Sequence, residues 1–128
     1  EASTVSAGVS IGGHTVIGGR VNIGMNASVH QRTFIGGGCM IGMGSPIARD
    51  LPPYVKAYGS PARIQGVNTI GMQRHGIDDT QAAALHALYM AGNLLLDSTE
   101  ATWSGLLAAD IAQWRERENR RPAASVLR

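Results

Sequence analysis

The chain has 128 residues, 44% of them hydrophobic and 16% charged, with a net charge of +2. That suits one soluble unit of one or two small parts: no apolar run approaches the roughly 18 residues that cross a bilayer, and no signal segment opens the chain. A single cysteine, Cys39, excludes an internal disulfide and fits a reducing, cytoplasmic compartment.

From Val5 onward the chain counts in sixes. Val5, Ile11, Ile17, Ile23, Val29, Ile35, Ile41 and Ile47 recur in unbroken phase, and Gly follows at Gly12, Gly18, Gly24, Gly36 and Gly42. Compact residues stand two before the aliphatics, at Val9, Thr15, Val21, Ala27, Thr33, Cys39 and Ser45. A period of six is neither the 3.6 of a helix nor strand alternation. It is the hexapeptide signature of a parallel β-helix, in which each hexad is a short strand plus a corner. The aliphatic and the small residue point inward, and the following Gly is expected to keep the bend free of a Cβ clash. Cys39 occupies a small inward position and reads as packing, not as a nucleophile.

Three hexads make one coil of about 18 residues, so residues 18 apart stack on one face. Ile11, Val29 and Ile47 should share a column, and His14 should lie below Arg32. His30 stands where the repeat usually has Gly. His14, His30 and Gln31 then gather on one outward face and read as a binding groove. The phase is already running at Val5, which fits the C-terminal part of a longer chain.

The repeat stops at Leu51-Pro52-Pro53, where prolines remove ladder donors. Residues 1–53 are therefore the repeat domain, 54–76 an irregular connecting segment with Gly59, Pro61 and Gly66, and 77–128 a helical domain. Asp78 with Gln81 makes a capping box, followed by an apolar stripe at Leu85, Leu88 and Tyr89. A second helix is expected to open at Asp97 with Glu100 and to carry Trp103, Leu107, Ile111 and Trp114 as core. The arginines of the tail (Arg115, Arg117, Arg120, Arg121, Arg128) read as a solvated face and not a nucleic-acid site, and the last residues should fray.

Ser28-Val29-His30-Gln31, Asp50-Leu51-Pro52-Pro53-Tyr54-Val55, Gly66-Val67-Asn68 and Gly71-Met72-Gln73-Arg74-His75-Gly76 carry a resemblance. Over nearly its whole length the chain resembles the C-terminal half of the acyl-[acyl-carrier-protein]–UDP-N-acetylglucosamine O-acyltransferase family. The resemblance implies a left-handed β-helix with C-terminal helices, assembled as a homotrimer with active sites between subunits. It implies an O-acyltransferase of lipid A biosynthesis that needs no cofactor or metal. Its partners would be acyl carrier protein, which donates the acyl thioester, and a UDP-sugar, whose 3-hydroxyl attacks it.

By the same resemblance Gly13 supplies the oxyanion N–H. His14, His30, Gln31, Asn68, Arg74 and His75 bind substrate, and Met25 and Met43 line the acyl groove. The matching general-base histidine falls just upstream of Glu1. Three positions depart from the family pattern: Ile70 stands for an acidic residue, His75 for a second Arg, and Arg32 for an aromatic. A CoA-dependent acetyltransferase of the same architecture and a non-catalytic trimeric relic are the alternatives. A γ-class carbonic anhydrase would need a close histidine pair that His14, His30, His75 and His86 do not make.

Overall fold

The structure, a computed structural model, describes residues 3–97 and 102–127. The eight hexads become eight two-residue strands: β1 (Thr4–Val5), β2 (Ser10–Ile11), β3 (Val16–Ile17), β4 (Asn22–Ile23), β5 (Ser28–Val29), β6 (Phe34–Ile35), β7 (Met40–Ile41) and β8 (Pro46–Ile47). Each ends on the repeating aliphatic. Parallel pairing joins strands 18 residues apart, as in Ser10↔Ser28 and Ile11↔Val29↔Ile47. Three sheets result, A (β1-β4-β7), B (β2-β5-β8) and C (β3-β6), and they form the faces of a left-handed parallel β-helix. Ile23, Ile35, Ile41 and Ile47 are buried, whereas Val5 and Ile11 in the first coil stay about half exposed.

The corners are built differently from expectation. One residue per hexad takes a left-handed backbone: Gly8, His14, Arg20, Asn26, Arg32, Gly38 and Gly44, with φ between 57° and 75°. This is three places after the aliphatic, not one. The glycine that directly follows the aliphatic answers a separate constraint, the approach of the next coil. A Cβ on Gly12 would lie 2.5 Å from the Gln31 nitrogen, and one on Gly36 would lie 2.6 Å from the Pro53 nitrogen.

Residues 54–76 are not irregular. β9 (Val55–Gly59) continues sheet A by pairing with β7, and β10 (Ala62–Val67) folds back on it as an antiparallel hairpin. A helix α1 (Thr69–Arg74) follows, capped by Asn68, whose Oδ1 accepts from the Gly71 N–H at 3.0 Å.

Helix α2 (Asp79–Met90) has the expected cap: Asp78 Oδ1 accepts from the Thr80 N–H at 2.7 Å. The Gln81 side chain does not close the box, because it pairs with Ser104 through two hydrogen bonds. Leu85 and Tyr89 are buried as the stripe requires, and the Tyr89 hydroxyl donates to the Pro53 carbonyl at 2.6 Å. Helix α3 (Gly105–Glu116) begins later than expected. Asp97 takes a salt bridge from Arg120, and Ser98–Ala101, over which the helix was expected to open, lie outside the described residues. Leu107, Ile111 and Trp114 are core, and Trp114 covers Phe34 on the outside of sheet C, ring centroids 5.6 Å apart.

The tail does not fray through residue 127. Pro122 bridges to Asp50 and Ser125 to Ile64, with Ala123 N–H donating to the Asp50 carbonyl. Its arginines are not simply solvated either. Arg115 donates to the Leu96 carbonyl, Arg120 to the Leu95 carbonyl and Arg117 to the Arg32 carbonyl. Three free carbonyls outside the helices supply a geometric demand that composition alone does not reveal.

Candidate functional site

The corner joining sheets B and C repeats its residues every 18 places. This stacks His14 under Arg32 and Gly13 under Gln31, with Arg49 one coil beyond Gln31. The Arg32 N–H donates to the Gly13 carbonyl at 2.9 Å and locks the two coils in register. The tail then closes the side of this corner, giving a cleft of about 820 Å³ lined by His14, His30, Gln31, Arg32, Arg49, Arg117 and Arg121. His14, His30 and Gln31 are thus brought together as the period requires. Gly13, one residue before His14, is not among the residues that line the cleft; its own N–H enters no hydrogen bond among the described residues, and a Cβ there would meet nothing within 4 Å. An unused N–H on an open stretch of backbone can stabilise a developing oxyanion.

Asn68, Arg74 and His75 line a second cleft of about 410 Å³, with Arg20, Lys56, Met40 and Ile70. It lies against sheet A, the face of the prism opposite the B–C corner. Asn68 is largely committed to the fold, since it caps α1 and donates from Nδ2 to the Gly38 carbonyl at 2.8 Å. Arg74 and Lys56 make no ion pair with a described residue and offer this cleft two cations that the fold does not engage.

Met25 and Met43 stack on the third edge, between sheets A and B, where the Gly44 N–H donates to the Met25 carbonyl at 2.8 Å. Both are exposed, Met43 by 70%. Neither lines the two polar clefts. Between that edge and His30 runs the outer face of sheet B, a shallow trough over Ser10, Ser28 and Pro46 whose small residues leave room for a slender ligand.

Arg20 and Asp110 tie the solenoid to α3. Arg20 Nη2 lies 2.7 and 2.6 Å from the two Asp110 oxygens, and the two side chains keep only 11% and 8% of their exposure. Burial lifts the Asp110 carboxyl above the ordinary carboxylate range, against the pull of Arg20 and of His75. Cys39 is sealed in the core, where burial pushes its thiol up to about 12. That rules out a thiolate nucleophile at neutral pH. Among the described residues no three His, Cys, Asp or Glu side chains gather to hold a metal ion.

Sequence reasoning missed Arg49, Arg121 and Lys56 as lining residues. Arg49 was available from the spacing, 18 places after Gln31. Lys56 follows from the unrecognised hairpin, and Arg121 depends on where the tail docks, which no local pattern encodes.

The model of the family described as "Udp N-acetylglucosamine O-acyltransferase; Domain 2" matches residues 50–103. Two curated acyl-[acyl-carrier-protein]–UDP-N-acetylglucosamine O-acyltransferases are each 34% identical. The one from Thiobacillus denitrificans matches over 93 residues, 70% of this chain and 36% of that protein. The one from Burkholderia thailandensis matches over 85 residues, 66% of this chain and 32% of that protein. The chain thus spans about a third of the curated relatives it matches. A crystal structure of UDP-N-acetylglucosamine O-acyltransferase from Moraxella catarrhalis aligns with a TM-score of 0.66 at 33% identity, over 78% of this chain and 37% of that one. A second UDP-N-acetylglucosamine acyltransferase structure aligns at 0.77 and 26% identity, over 98% and 51%. Over the portion that it spans, the chain is similar to the UDP-N-acetylglucosamine O-acyltransferase family.

Proposed function

We propose that this chain forms the binding part of an O-acyltransferase that moves an acyl group from acyl carrier protein to the 3-hydroxyl of UDP-N-acetylglucosamine, in lipid A biosynthesis. The observation that carries the reading is the division of the site. One chain has imidazoles and an open N–H at its B–C corner, and cations against the opposite sheet A. Neither half is a complete site for a nucleotide sugar and an acyl donor. A second copy set with its sheet A side toward the first copy's B–C corner would join them. Three copies in a ring close such a head-to-tail contact. The exposed Met40 and Ile70, which line the sheet A cleft, give this contact apolar surface to bury.

In the joined site Arg74, with His75 beside it, neutralises the diphosphate by charge-assisted contacts. His14, His30 and Gln31 hold the sugar so that its 3-hydroxyl faces the thioester carbonyl. The Gly13 N–H stabilises the oxyanion of the tetrahedral intermediate, a contribution of about 10²–10³-fold for one such donor. The acyl chain runs along the small-residue face of sheet B toward Met25 and Met43. The proton of the attacking hydroxyl goes to a histidine base outside these 128 residues. Binding is therefore expected without turnover by this chain alone.

The test is calorimetric titration of the chain with UDP-N-acetylglucosamine. Saturable binding, weakened about tenfold or more by Arg74→Ala and by His14→Ala, is the expected result. Binding indifferent to both substitutions, or none at all, would remove the reading.

A further inference from the structure

The clamp on Arg20 leaves one edge of its guanidinium unused. Nη2 meets both Asp110 oxygens, at 2.7 and 2.6 Å, and Nε donates to the Tyr54 hydroxyl at 3.5 Å. Two of the three guanidinium nitrogens are thus engaged by the fold. The third, Nη1, bonds to no described residue. It is not buried either: among the described residues, the buried side-chain nitrogens without a partner are Trp103 Nε1 and Arg117 Nε. Arg20 forms part of the wall of the sheet A cleft, so this open edge gives the cleft a fixed donor and a fixed charge.

The neighbouring coil makes room for the grip. A Cβ on Gly37 would lie 2.3 Å from Asp110 Oδ1, and one on Gly38 would lie 2.1 Å from the Tyr54 ring, so two successive glycines admit the two partners of Arg20. The Gly38 N–H donates to the Gly19 carbonyl at 2.9 Å, and the Gly38 carbonyl accepts from Asn68 Nδ2 at 2.8 Å. Asn68 caps α1, whose last residue is Arg74. A short hydrogen-bonded path therefore fixes the corner that carries Arg20 relative to the helix that carries Arg74.

The charge lining the cleft is of one sign. Arg20, Lys56 and Arg74 line it, and no Asp or Glu does. A buried ion pair adds little stability over a well-packed apolar contact, and burial does lift the Asp110 carboxyl against the pull of Arg20. Stability alone gives little reason for a cation at position 20, whereas an anion in the cleft gives one. A guanidinium clamped at one edge and open at the other meets a phosphate oxygen with little further ordering.

We propose that Arg20 is a diphosphate-binding residue of the sheet A cleft, acting with Arg74, and that Asp110 is its positioning residue. Helix α3 then takes part in nucleotide recognition without touching the nucleotide. The inference deepens the acyl-transfer reading and rests on it for the identity of the diphosphate. Such a group carries charge on both phosphates, and Arg74 is one cation at the end of a six-residue helix; Arg20 supplies the second.

The experiment is calorimetric titration of the 128-residue chain with UDP and uridine. Arg20→Gln is expected to weaken UDP about tenfold or more and to leave uridine unchanged. Arg20→Lys should recover little of the loss, because a compact ammonium cannot span Asp110 and a phosphate as a planar fork does. Asp110→Asn should weaken UDP in the wild-type background and change nothing further beside Arg20→Gln, a coupling that a merely structural role would not produce. Arg20→Met/Asp110→Leu, with an apolar pair in place of the ionic one, should keep the wild-type circular dichroism and still lose UDP about tenfold. Wild-type affinity for UDP in Arg20→Gln overturns the proposal. So does a wild-type chain that shows no saturable UDP binding, or an equal loss from Asp110→Asn with and without Arg20. UDP-N-acetylglucosamine binding that depends on Arg74 and His14 but not on Arg20 would leave the acyl-transfer reading standing while this inference falls.

Discussion

Removing Asp110 should unseat the helical region from the solenoid. Asp110→Ala leaves Arg20, 11% exposed and anchored at a left-handed corner, as a buried charge whose remaining polar neighbour is the Tyr54 hydroxyl at 3.5 Å. Severing a buried pair in this way costs about 3–5 kcal/mol, which for a domain of this size lowers Tm by roughly 10–20 °C. Replacing both partners should cost much less. Burial outweighs the attraction at Asp110, as its raised pKa records, so the pair adds little over an apolar contact. Urea and thermal unfolding of Asp110→Ala, Arg20→Met and Arg20→Met/Asp110→Leu would measure the coupling. A double variant as unstable as the sum of the singles would refute the reasoning. The sign with pH follows from the same shift. A carboxyl raised in the folded state stabilises fully below its unfolded pKa, and that contribution is lost as pH rises through the folded value. Wild type should therefore gain on Asp110→Asn when the comparison moves from about pH 7 to about pH 3.

Other consequences are narrower. Cys39, its thiol pushed up to about 12 in the core, should resist thiol reagents in native buffer and react once urea unfolds the chain; equal rates in both states would contradict its burial. Gly24→Ala should destabilise by about 1–3 kcal/mol, because its Cβ would lie 2.7 Å from the Met43 nitrogen and 3.0 Å from the Ile41 carbonyl. Gly13→Ala, with open space around its Cβ, should melt close to wild type. In the complete, active protein Met43→Gly should shift donor preference toward longer acyl chains, since each buried methylene contributes about 0.8 kcal/mol; kcat/KM ratios unchanged across a donor series would show that Met43 does not measure chain length.

The solenoid was legible because its signal is redundant. Eight aliphatics in phase specify strand, face and the 18-residue column, and the columns carried His14, His30, Gln31 and Arg32 to one corner. The left-handed corners were not legible. Their place holds Gly8, Asn26, Gly38 and Gly44, which tolerate positive φ, but equally His14, Arg20 and Arg32, which do not announce it. The hairpin over 55–67 was hidden by Gly59, Pro61 and Gly66, read as breakers although two of them sit within or at the end of paired strands. The tail was misread for a different reason. Its arginines answer carbonyls at Arg32, Leu95 and Leu96, between 19 and 85 residues away in sequence. Long-range partners of that kind leave no periodic trace.

The division of the site between two faces is tested most directly by mixing variants. Chains carrying His14→Ala and chains carrying Arg74→Ala are refolded together in equal amounts, and UDP-N-acetylglucosamine binding is titrated against each variant alone. If neighbouring copies complete one site, each variant alone binds weakly, while the mixture regains about a quarter of the wild-type number of tight sites, the share of contacts pairing an intact corner with an intact sheet A. A mixture that binds no better than the two variants separately would contradict the account.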